Sequence, residues 1–211
     1  MKKVAILGGN KLAKYISIKL RKNKYKTYYL SRKYKINSSF NKTYKVRNYN
    51  FDILKKKLNS IKPKVIINLI SFTGDDFLKS IKINTLLPID ILKWSIENKA
   101  YLVLIGTAAE YGTSNKKIVS ERDKLKPNSV YGYTKSLQSI IVNKYYSLFK
   151  NEILLLRIFN LSGDIINKDT IIGKVNNFIL KNKNKKNKKI LKLGDLSSKR
   201  DYIDVSRASN I

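Results

Sequence analysis

The sequence predicts an α/β protein built on a doubly wound parallel sheet. Short apolar runs rich in β-branched residues alternate with longer helical patterns over the first 180 residues, which favours parallel strands covered by helices on both faces. No internal repeat and no Gly/Ser-rich linker interrupts this alternation. The 211 residues, 43% of them hydrophobic, suffice for one packed domain and a small additional lobe.

The predicted strands start near the N-terminus and recur along the chain. Each is a short, mostly apolar run bounded by polar or turn-forming residues. They are Val4–Leu7, Thr27–Leu30, a weaker run at Tyr44–Val46, Val65–Ile70, Tyr101–Ile105, Ile153–Ile158 and Ile190–Leu193.

Helical patterns, in which apolar residues recur three or four positions apart, fill the intervals between the strands. The second of these helices ends just before Pro63, because proline disfavours helical backbone at the residue that precedes it. The predicted helices are Leu12–Arg21, Ile53–Ile61, Phe77–Asn98, Tyr133–Phe149 and Ile171–Lys181.

The residue types present limit the chemistry that the protein could perform. The chain contains neither Cys nor His, which excludes a thiolate nucleophile, an imidazole base and sulfur-ligated metals. We predict no metal site and expect proton transfer to fall to Tyr, Lys, Ser, Thr or carboxylates. No run approaches the roughly 18 apolar residues of a membrane span, so we expect no membrane partner and a cytoplasmic location.

The chain is strongly basic, with 45 Lys and Arg against 14 Asp and Glu and a formal net charge of +31. Clustered cations bind nucleic acids by releasing counterions from phosphates, so a polyanion-binding protein is one interpretation. Lys greatly outnumbers Arg, however, and nucleic-acid sites favour the planar fork of Arg. We therefore expect no specific nucleic-acid partner. The densest basic stretch, Lys181–Lys189, is predicted to be a solvated loop or a frayed helix end.

A glycine turn follows the first strand, where doubly wound proteins bind the pyrophosphate of a dinucleotide. One glycine of the usual motif is missing, and with one residue deleted after Asn10, Ala13 takes the place of the glycine that packs helix against strand. The motif alone is weak and also fits a plain strand–turn–helix. The candidate phosphate-binding residues are Gly8, Asn10, Lys11 and Leu12.

Arg32 follows the second strand. A carboxylate at this place would bind the ribose hydroxyls of NAD, whereas a cation suits the extra phosphate of NADP. Arg32 therefore favours NADP slightly over NAD, with a plain surface cation as the alternative.

With His and Cys absent, a Tyr whose pKa is lowered by a nearby cation is the best candidate for proton transfer. A Tyr-x-x-x-Lys pair places both groups on one helix face. The chain holds four such pairs, Tyr15/Lys19, Tyr29/Lys33, Tyr131/Lys135 and Tyr146/Lys150. Only Tyr131/Lys135 starts a helix after a strand that ends in small and hydroxylic residues, including Thr107, at the sheet edge where ligands bind.

Several further segments occur in a characteristic order. They are the glycine turn, Val65–Ser71, Asn84, Gly106–Gly112, Ser129–Ser136, Leu156–Asn160, Gly194–Asp195 and Arg200–Ile203. In this order they resemble the extended short-chain dehydrogenase/reductases, also called the NAD-dependent epimerase/dehydratase family, which act on nucleotide sugars. The resemblance covers essentially the whole chain.

The resemblance implies an NAD(P)-binding Rossmann fold and the catalytic residues Thr107, Tyr131 and Lys135. Thr107 would hydrogen-bond the reacting oxygen of the sugar, and Tyr131 would donate or accept the proton. Lys135 would hold the nicotinamide ribose and lower the pKa of Tyr131. The implied activity is that of a nucleotide-sugar epimerase or keto-reductase that transfers hydride at a sugar carbon.

The resemblance also implies binding residues and a homodimer that packs through the helices at Phe77–Asn98 and Tyr133–Phe149. Asn160 and Arg200 would bind the substrate, Arg200 by gripping its diphosphate. Bracing of a helix by Asn84, and pairing of Arg200 with Asp201, are the structural alternatives. The implied cofactor-binding residues outside the glycine turn are Arg32, Leu69, Ile70, Ser71, Asn84, Lys135 and Ile158.

The chain departs from the family pattern in places. Dehydratases of the family carry an Asp-Glu pair directly after the catalytic Thr, where this chain has Ala108 and Ala109, so epimerisation or keto-reduction is favoured over dehydration. The incomplete glycine turn leaves open a second interpretation, a non-catalytic member that keeps the fold as a binding module. We expect residues 1–165 to form the NAD(P)-binding domain and residues 166–211 the start of a truncated substrate-binding lobe.

Overall fold

A computed structural model of the protein describes residues 1–32, 38–114, 116, 118–149, 152–163, 170–183, 190–194, 196 and 200–210, without the side chains at positions 10 and 149. The predicted partners Lys33 and Lys150, Asp195, and residues 184–189 of the basic stretch lie outside this description. The chain divides into two compact units, Met1–Ile158 and Phe159–Ile211.

The first unit contains a six-stranded sheet in which every neighbouring pair is parallel. The strand order is β3-β2-β1-β4-β5-β6, so the chain winds outward in both directions from the centre and leaves a crevice beside β1 and β4. This topology confirms the predicted doubly wound fold. The strands are β1 Lys3–Gly8, β2 Lys26–Ser31, β3 Lys42–Lys45, β4 Val65–Leu69, β5 Tyr101–Thr107 and β6 Ile153–Ile158.

Helices connect these strands, and short irregular turns interrupt two of the connections. A π-helical turn at Lys82–Leu86 lies inside the long predicted helix, and a 3₁₀ turn at Ala108–Glu110 follows β5. The fifth helix begins at Val130 rather than at Tyr133, so Tyr131 lies in its first turn. The helices are α1 Asn10–Lys22, α2 Phe51–Ile61, α3 Phe77–Ile81, α4 Leu87–Glu97 and α5 Val130–Phe149.

The core lies on both faces of the sheet. Side chains along a strand alternate between faces, and in β1 Ala5 and Leu7 join one apolar cluster while Val4 and Ile6 join the other. All four are fully buried. This double burial explains why β1 reads as a continuous apolar run in the sequence.

The second unit contains a small parallel sheet of β7 Asn160–Ser162 and β8 Tyr202–Asp204, with α6 Ile171–Asn182 and α7 Val205–Ala208. The predicted strand Ile190–Leu193 is wrong, because these residues have irregular backbone and the side chain of Ile190 is 88% exposed. A short apolar run forms a strand only where a neighbouring strand supplies hydrogen bonds. In the part of the chain that the structure describes, no helix combines the length and apolar character needed to cross a membrane.

Candidate active site

The carboxyl-terminal ends of the central strands bring several predicted site residues to one edge of the sheet. In the pairing of β1 with β4, Gly8 lies opposite Leu69. In the pairing of β5 with β6, Thr107 lies opposite Ile158. This edge is where doubly wound proteins bind ligands, so the sheet register alone assembles the outline of a site.

The glycines of the first turn are required by their backbone and by their neighbours on β4. Gly8 and Gly9 have φ angles of 68° and 80°, in the left-handed region that side chains disfavour. A Cβ atom on Gly8 would lie 2.9 Å from Cγ1 of Ile70, and one on Gly9 only 2.4 Å from Cδ1 of Leu69. Leu69 and Ile70, two of the predicted cofactor-binding residues, thus lie against the turn.

Helix α1 directs its N-terminus toward this turn. Its first intrahelical bond runs from the Ala13 N–H to the Gly9 carbonyl at 3.2 Å, so the backbone N–H groups that precede Ala13 in the helix point out of its N-terminus. The first turn has no acidic side chain, so its partial positive charge suits an anion. Ala13 is fully buried, as the gapped alignment of the motif requires.

A cavity of about 410 Å³ lies beside the ends of β2 and β4. Arg32 and Ser71, both predicted to bind the cofactor, line this cavity together with Lys79 and Lys82. The Arg32 guanidinium lies 4.9 Å from the ring centre of Tyr49, a cation–π contact that orients it. Three cations and one carboxylate, that of Asp90, therefore line one concave surface.

Asn84 lies in the π-helical turn and is fully buried. Its Oδ1 accepts a hydrogen bond from the Phe72 N–H at 2.8 Å, and its Nδ2 donates to the Phe72 carbonyl at 2.8 Å and to Thr134 Oγ1 at 3.0 Å. Both amide hydrogens and the carbonyl oxygen are thus used inside the protein. This geometry favours the bracing alternative over direct contact with a cofactor, because Asn84 ties the loop after β4 to helix α5.

Thr107 and Tyr131 meet at the carboxyl end of β5. Thr107 ends this strand in an extended conformation and caps the following 3₁₀ turn, its Oγ1 accepting from the Ala109 N–H at 3.3 Å. Tyr131 is half-buried, and the Thr107 side chain lies close enough to its phenol to affect the pKa of that phenol. The structure thus brings together two of the three predicted catalytic residues.

The predicted lowering of the pKa of Tyr131 is not observed. Burial raises the pKa of Tyr131, the Thr107 side chain opposes this rise, and the negative charge of Glu110 adds to it. The prediction assumed that the Lys135 ammonium faces the phenol. Its Nζ instead donates to Oε1 of Gln138 at 2.9 Å, so the ammonium is turned along the helix.

Lys135 is almost completely buried, with 3% of its surface exposed. Burial lowers the pKa of Lys135 from 10.5 to about 8, and the nearby negative charge of Glu110 opposes this lowering. Gln138, the acceptor for Lys135, donates in turn to the Ile105 carbonyl of β5 at 3.4 Å. The chain of contacts links the ammonium to the strand that carries Thr107.

Two charged residues that the sequence analysis did not single out lie behind the site. Glu110 is fully buried and forms an ion pair with Arg157, with 2.9 Å between Oε2 and Nε. Two signals could have identified them. Thr107 and Glu110 have the spacing of a capping box, and Arg157 interrupts an apolar strand, where a buried charge requires a partner.

The remaining predicted residues have different surroundings. In the second unit, Asn160 Nδ2 donates to the Asp201 carbonyl at 2.9 Å, next in sequence to the exposed Arg200. In the first unit, Tyr29 is buried and stacks on Phe40 with 4.4 Å between ring centres, as expected of a core tyrosine. Among the described residues, no group of acidic side chains could hold a metal ion.

Comparisons with known proteins agree on the fold. GDP-6-deoxy-D-talose 4-dehydrogenase of Aggregatibacter actinomycetemcomitans is 29% identical over 161 residues, which are 73% of this chain and 52% of that protein. The chain thus spans about half the length of this curated relative.

Two solved structures share the fold at low sequence identity. UDP-glucose 4-epimerase of Thermus thermophilus in complex with NAD superposes with a TM-score of 0.82 at 17% identity, covering 99% of this chain and 72% of that one. UDP-glucuronic acid 4-epimerase of Bacillus cereus in complex with NAD gives a TM-score of 0.79 at 22% identity, covering 98% and 71%.

A model of one protein family matches residues 6–208, nearly the whole sequence. The family is described as the NAD dependent epimerase/dehydratase family. On this match, the chain belongs to the NAD-dependent epimerase/dehydratase family.

Proposed function

We propose that the protein is an NAD(P)-dependent epimerase or keto-reductase that acts on a nucleotide sugar. The observation that carries this proposal is the close approach of Thr107 and the Tyr131 phenol at the carboxyl edge of the sheet. Ile158 lies beside Thr107 in the sheet register, and the glycine turn ends β1 at the same edge. The site thus combines a proton-transfer group with a place for a dinucleotide.

In the proposed mechanism, a bound nicotinamide cofactor would supply the hydride chemistry that protein side chains lack. Thr107 would orient the reacting oxygen of the sugar, and Tyr131 would exchange a proton with that oxygen. Because burial raises the pKa of Tyr131, its hydroxyl is protonated at neutral pH and suits proton donation to a carbonyl oxygen. A protonated Tyr131 phenol therefore favours the direction in which a keto sugar is reduced.

The surroundings of Thr107 argue against dehydration. Ala108 and Ala109 hold no carboxylate, and the nearby carboxylate of Glu110 is fully buried and bonded to protein groups. A carboxylate so placed does not reach a substrate. Epimerisation and keto-reduction need only the tyrosine for proton transfer, so they remain the proposed reactions.

For the cofactor we propose NADP in preference to NAD. The three cations of the cavity, Arg32, Lys79 and Lys82, would attract the additional phosphate of NADP. Titrating the protein with NADPH and NADH while following nicotinamide fluorescence tests this, and tighter binding of NADPH is the expected result. Absence of binding by either cofactor at millimolar concentration would favour the alternative, a non-catalytic binding module.

The proposal extends to the substrate and to a homodimer. Asn160 and Arg200 are the proposed substrate-binding residues, residues 1–165 the proposed cofactor domain and residues 166–211 the proposed start of a substrate lobe. On α5, Tyr133, Leu137 and Ile140 expose a stripe of apolar surface, which would pack against a second copy. Light scattering should show a dimer in the native protein and a monomer after Leu137→Lys.

Replacement of Tyr131 tests the catalytic proposal. Tyr131→Phe should lower turnover of the nucleotide sugar about 10²- to 10⁴-fold, because the ring stays and only the proton-transfer group is lost. Tyr146→Phe is the matched control, since Tyr146 is 56% exposed on the same helix. Cofactor affinity should be unchanged in both variants, and undiminished turnover in Tyr131→Phe would refute the mechanism.

A further inference from the structure

Glu110 is a fully buried carboxylate that lies three residues after Thr107. A carboxylate without water is stable only when hydrogen bonds and a cation replace its hydration. Oε1 accepts from the Thr107 N–H at 2.8 Å, whereas Oε2 accepts from Ser139 Oγ at 2.6 Å and from Arg157 Nε at 2.9 Å. Glu110 thus uses both oxygens inside the protein.

The three partners belong to three elements that each carry part of the site. Thr107 ends β5, Ser139 lies on α5 one turn after Lys135, and Arg157 lies on β6 directly before Ile158. Ser139 is fully buried, and Arg157 is opposite Gly106 in the sheet register. Glu110 is therefore the common hydrogen-bond acceptor of the strand, helix and strand that converge on the Thr107–Tyr131 contact.

The charge of Glu110 also acts on the site. Taken by itself, this charge raises the pKa of both Tyr131 and Lys135, because a nearby negative charge disfavours a phenolate and favours an ammonium. For Lys135 the effect of burial is larger, so its pKa is still lowered. The ionisable groups around Glu110 are these two residues from α5, Arg157 from β6, and Tyr111, whose hydroxyl accepts from Arg157 Nη1 at 3.2 Å. Arg157 compensates the charge without removing its effect on the α5 residues.

We propose that Glu110 is a positioning residue for proton transfer, which holds Thr107 in register with the helix that carries Tyr131 and Lys135 through its bonds to Thr107, Ser139 and Arg157. This inference rests on the proposed function of that site. It assigns Glu110 a role distinct from that of an acid or base, because its carboxylate stays inside the protein while the phenol exchanges the proton.

Glu110→Gln tests the proposal, because Gln keeps the shape of the side chain and removes its charge. We expect kcat to fall about 10- to 100-fold with KM nearly unchanged, as the loss of charge-assisted hydrogen bonds predicts. Phenolate formation at Tyr131 should also move to lower pH, measured as the ultraviolet titration of each protein minus that of its Tyr131→Phe counterpart. Glu97→Gln, at an exposed carboxylate on α4, is the matched control and should change neither quantity.

Ser139→Ala provides a second test, which removes only the tie to α5 and keeps the charge. We expect kcat to fall several-fold while phenolate formation stays at the wild-type pH. A folded Glu110→Gln protein with wild-type kcat and wild-type phenol titration would overturn the proposal. If that variant does not fold, a wild-type kcat in Ser139→Ala would overturn the proposal instead. A wild-type protein without turnover would refute the proposed function, and an unshifted phenol titration in Glu110→Gln would then overturn the role of Glu110 separately.

Discussion

Lys135 allows a quantitative test of how burial controls the chemistry of the site. Its pKa is lowered from 10.5 to about 8 in the folded protein and returns to its ordinary value on unfolding. Between these pH values the unfolded chain binds more protons, so the free energy of unfolding rises with pH. The difference between the two pKa values corresponds to about 3 kcal/mol of unfolding free energy. About 2 kcal/mol of this should be gained before pH 10.

The measurement is urea denaturation at several pH values between 7 and 10, for the wild type and for Lys135→Met. Methionine keeps most of the volume and cannot titrate, so the difference between the two curves cancels the contributions of the other ionisable groups. Lys135→Met also loses the hydrogen bond to Gln138, which affects stability. Lys135→Gln separates the effect of this hydrogen bond from the effect of the charge. Lys144→Met, at an exposed position of the same helix, should run parallel to the wild type.

The expected result is a wild-type curve that climbs relative to Lys135→Met as pH rises from 8 to 10. Above pH 10 tyrosine ionisation lowers the free energy of unfolding in both proteins, because the pKa of Tyr131 is raised in the folded protein. Parallel curves for the wild type and Lys135→Met up to pH 10 would refute the argument that Lys135 is held in a poorly hydrated site.

Three further predictions concern the groups around the site. Asn84→Ala should lower the free energy of unfolding in urea by about 1–3 kcal/mol, since it leaves partly buried backbone groups of Phe72 unpaired. Gly9→Ala should cost about 1–3 kcal/mol in the same assay because of its positive φ and its contact with β4, whereas Gly194→Ala, which has open space around it, should be neutral. Arg32→Ser should weaken NADPH binding about ten-fold in a fluorescence titration and leave NADH binding unchanged; equal weakening of both cofactors would contradict the assigned role of Arg32.

Most of the sheet was predictable because five of its six strands carry their own local signal, whereas β3 is mostly polar and was predicted only as a weak run. Apolar runs such as Val65–Leu69 are buried on both faces, so their pattern needs no knowledge of the partner. The segments β7 and β8 are three residues each, too short for any periodicity. Ile190–Leu193 failed for the opposite reason, since it is a short apolar run without a neighbouring strand that pairs with it among the described residues.

The sequence predicted where the site residues lie in the fold better than it predicted which side chains contact one another. Thr107 and Tyr131 meet because one ends a strand and the other lies in the first turn of the helix that follows, and the sequence located both places to within about two residues. The direction of the Lys135 side chain cannot be inferred from the sequence, because an i, i+4 spacing fixes the shared helix face but not the rotamer. Its ammonium takes Gln138 as an acceptor because burial makes an unpaired charge costly.

Burial also decides which of the many charges of this chain matter for the proposed chemistry. Exposed lysines are hydrated and screened, so each of them affects the phenol little despite a formal net charge of +31. Glu110 and Lys135 lie inside the protein, where a charge acts strongly on its neighbours. The pKa of Tyr131 therefore depends first on its own burial, then on the Thr107 side chain and on one buried carboxylate. A substitution at Glu110 should thus alter proton transfer more than the removal of several surface lysines.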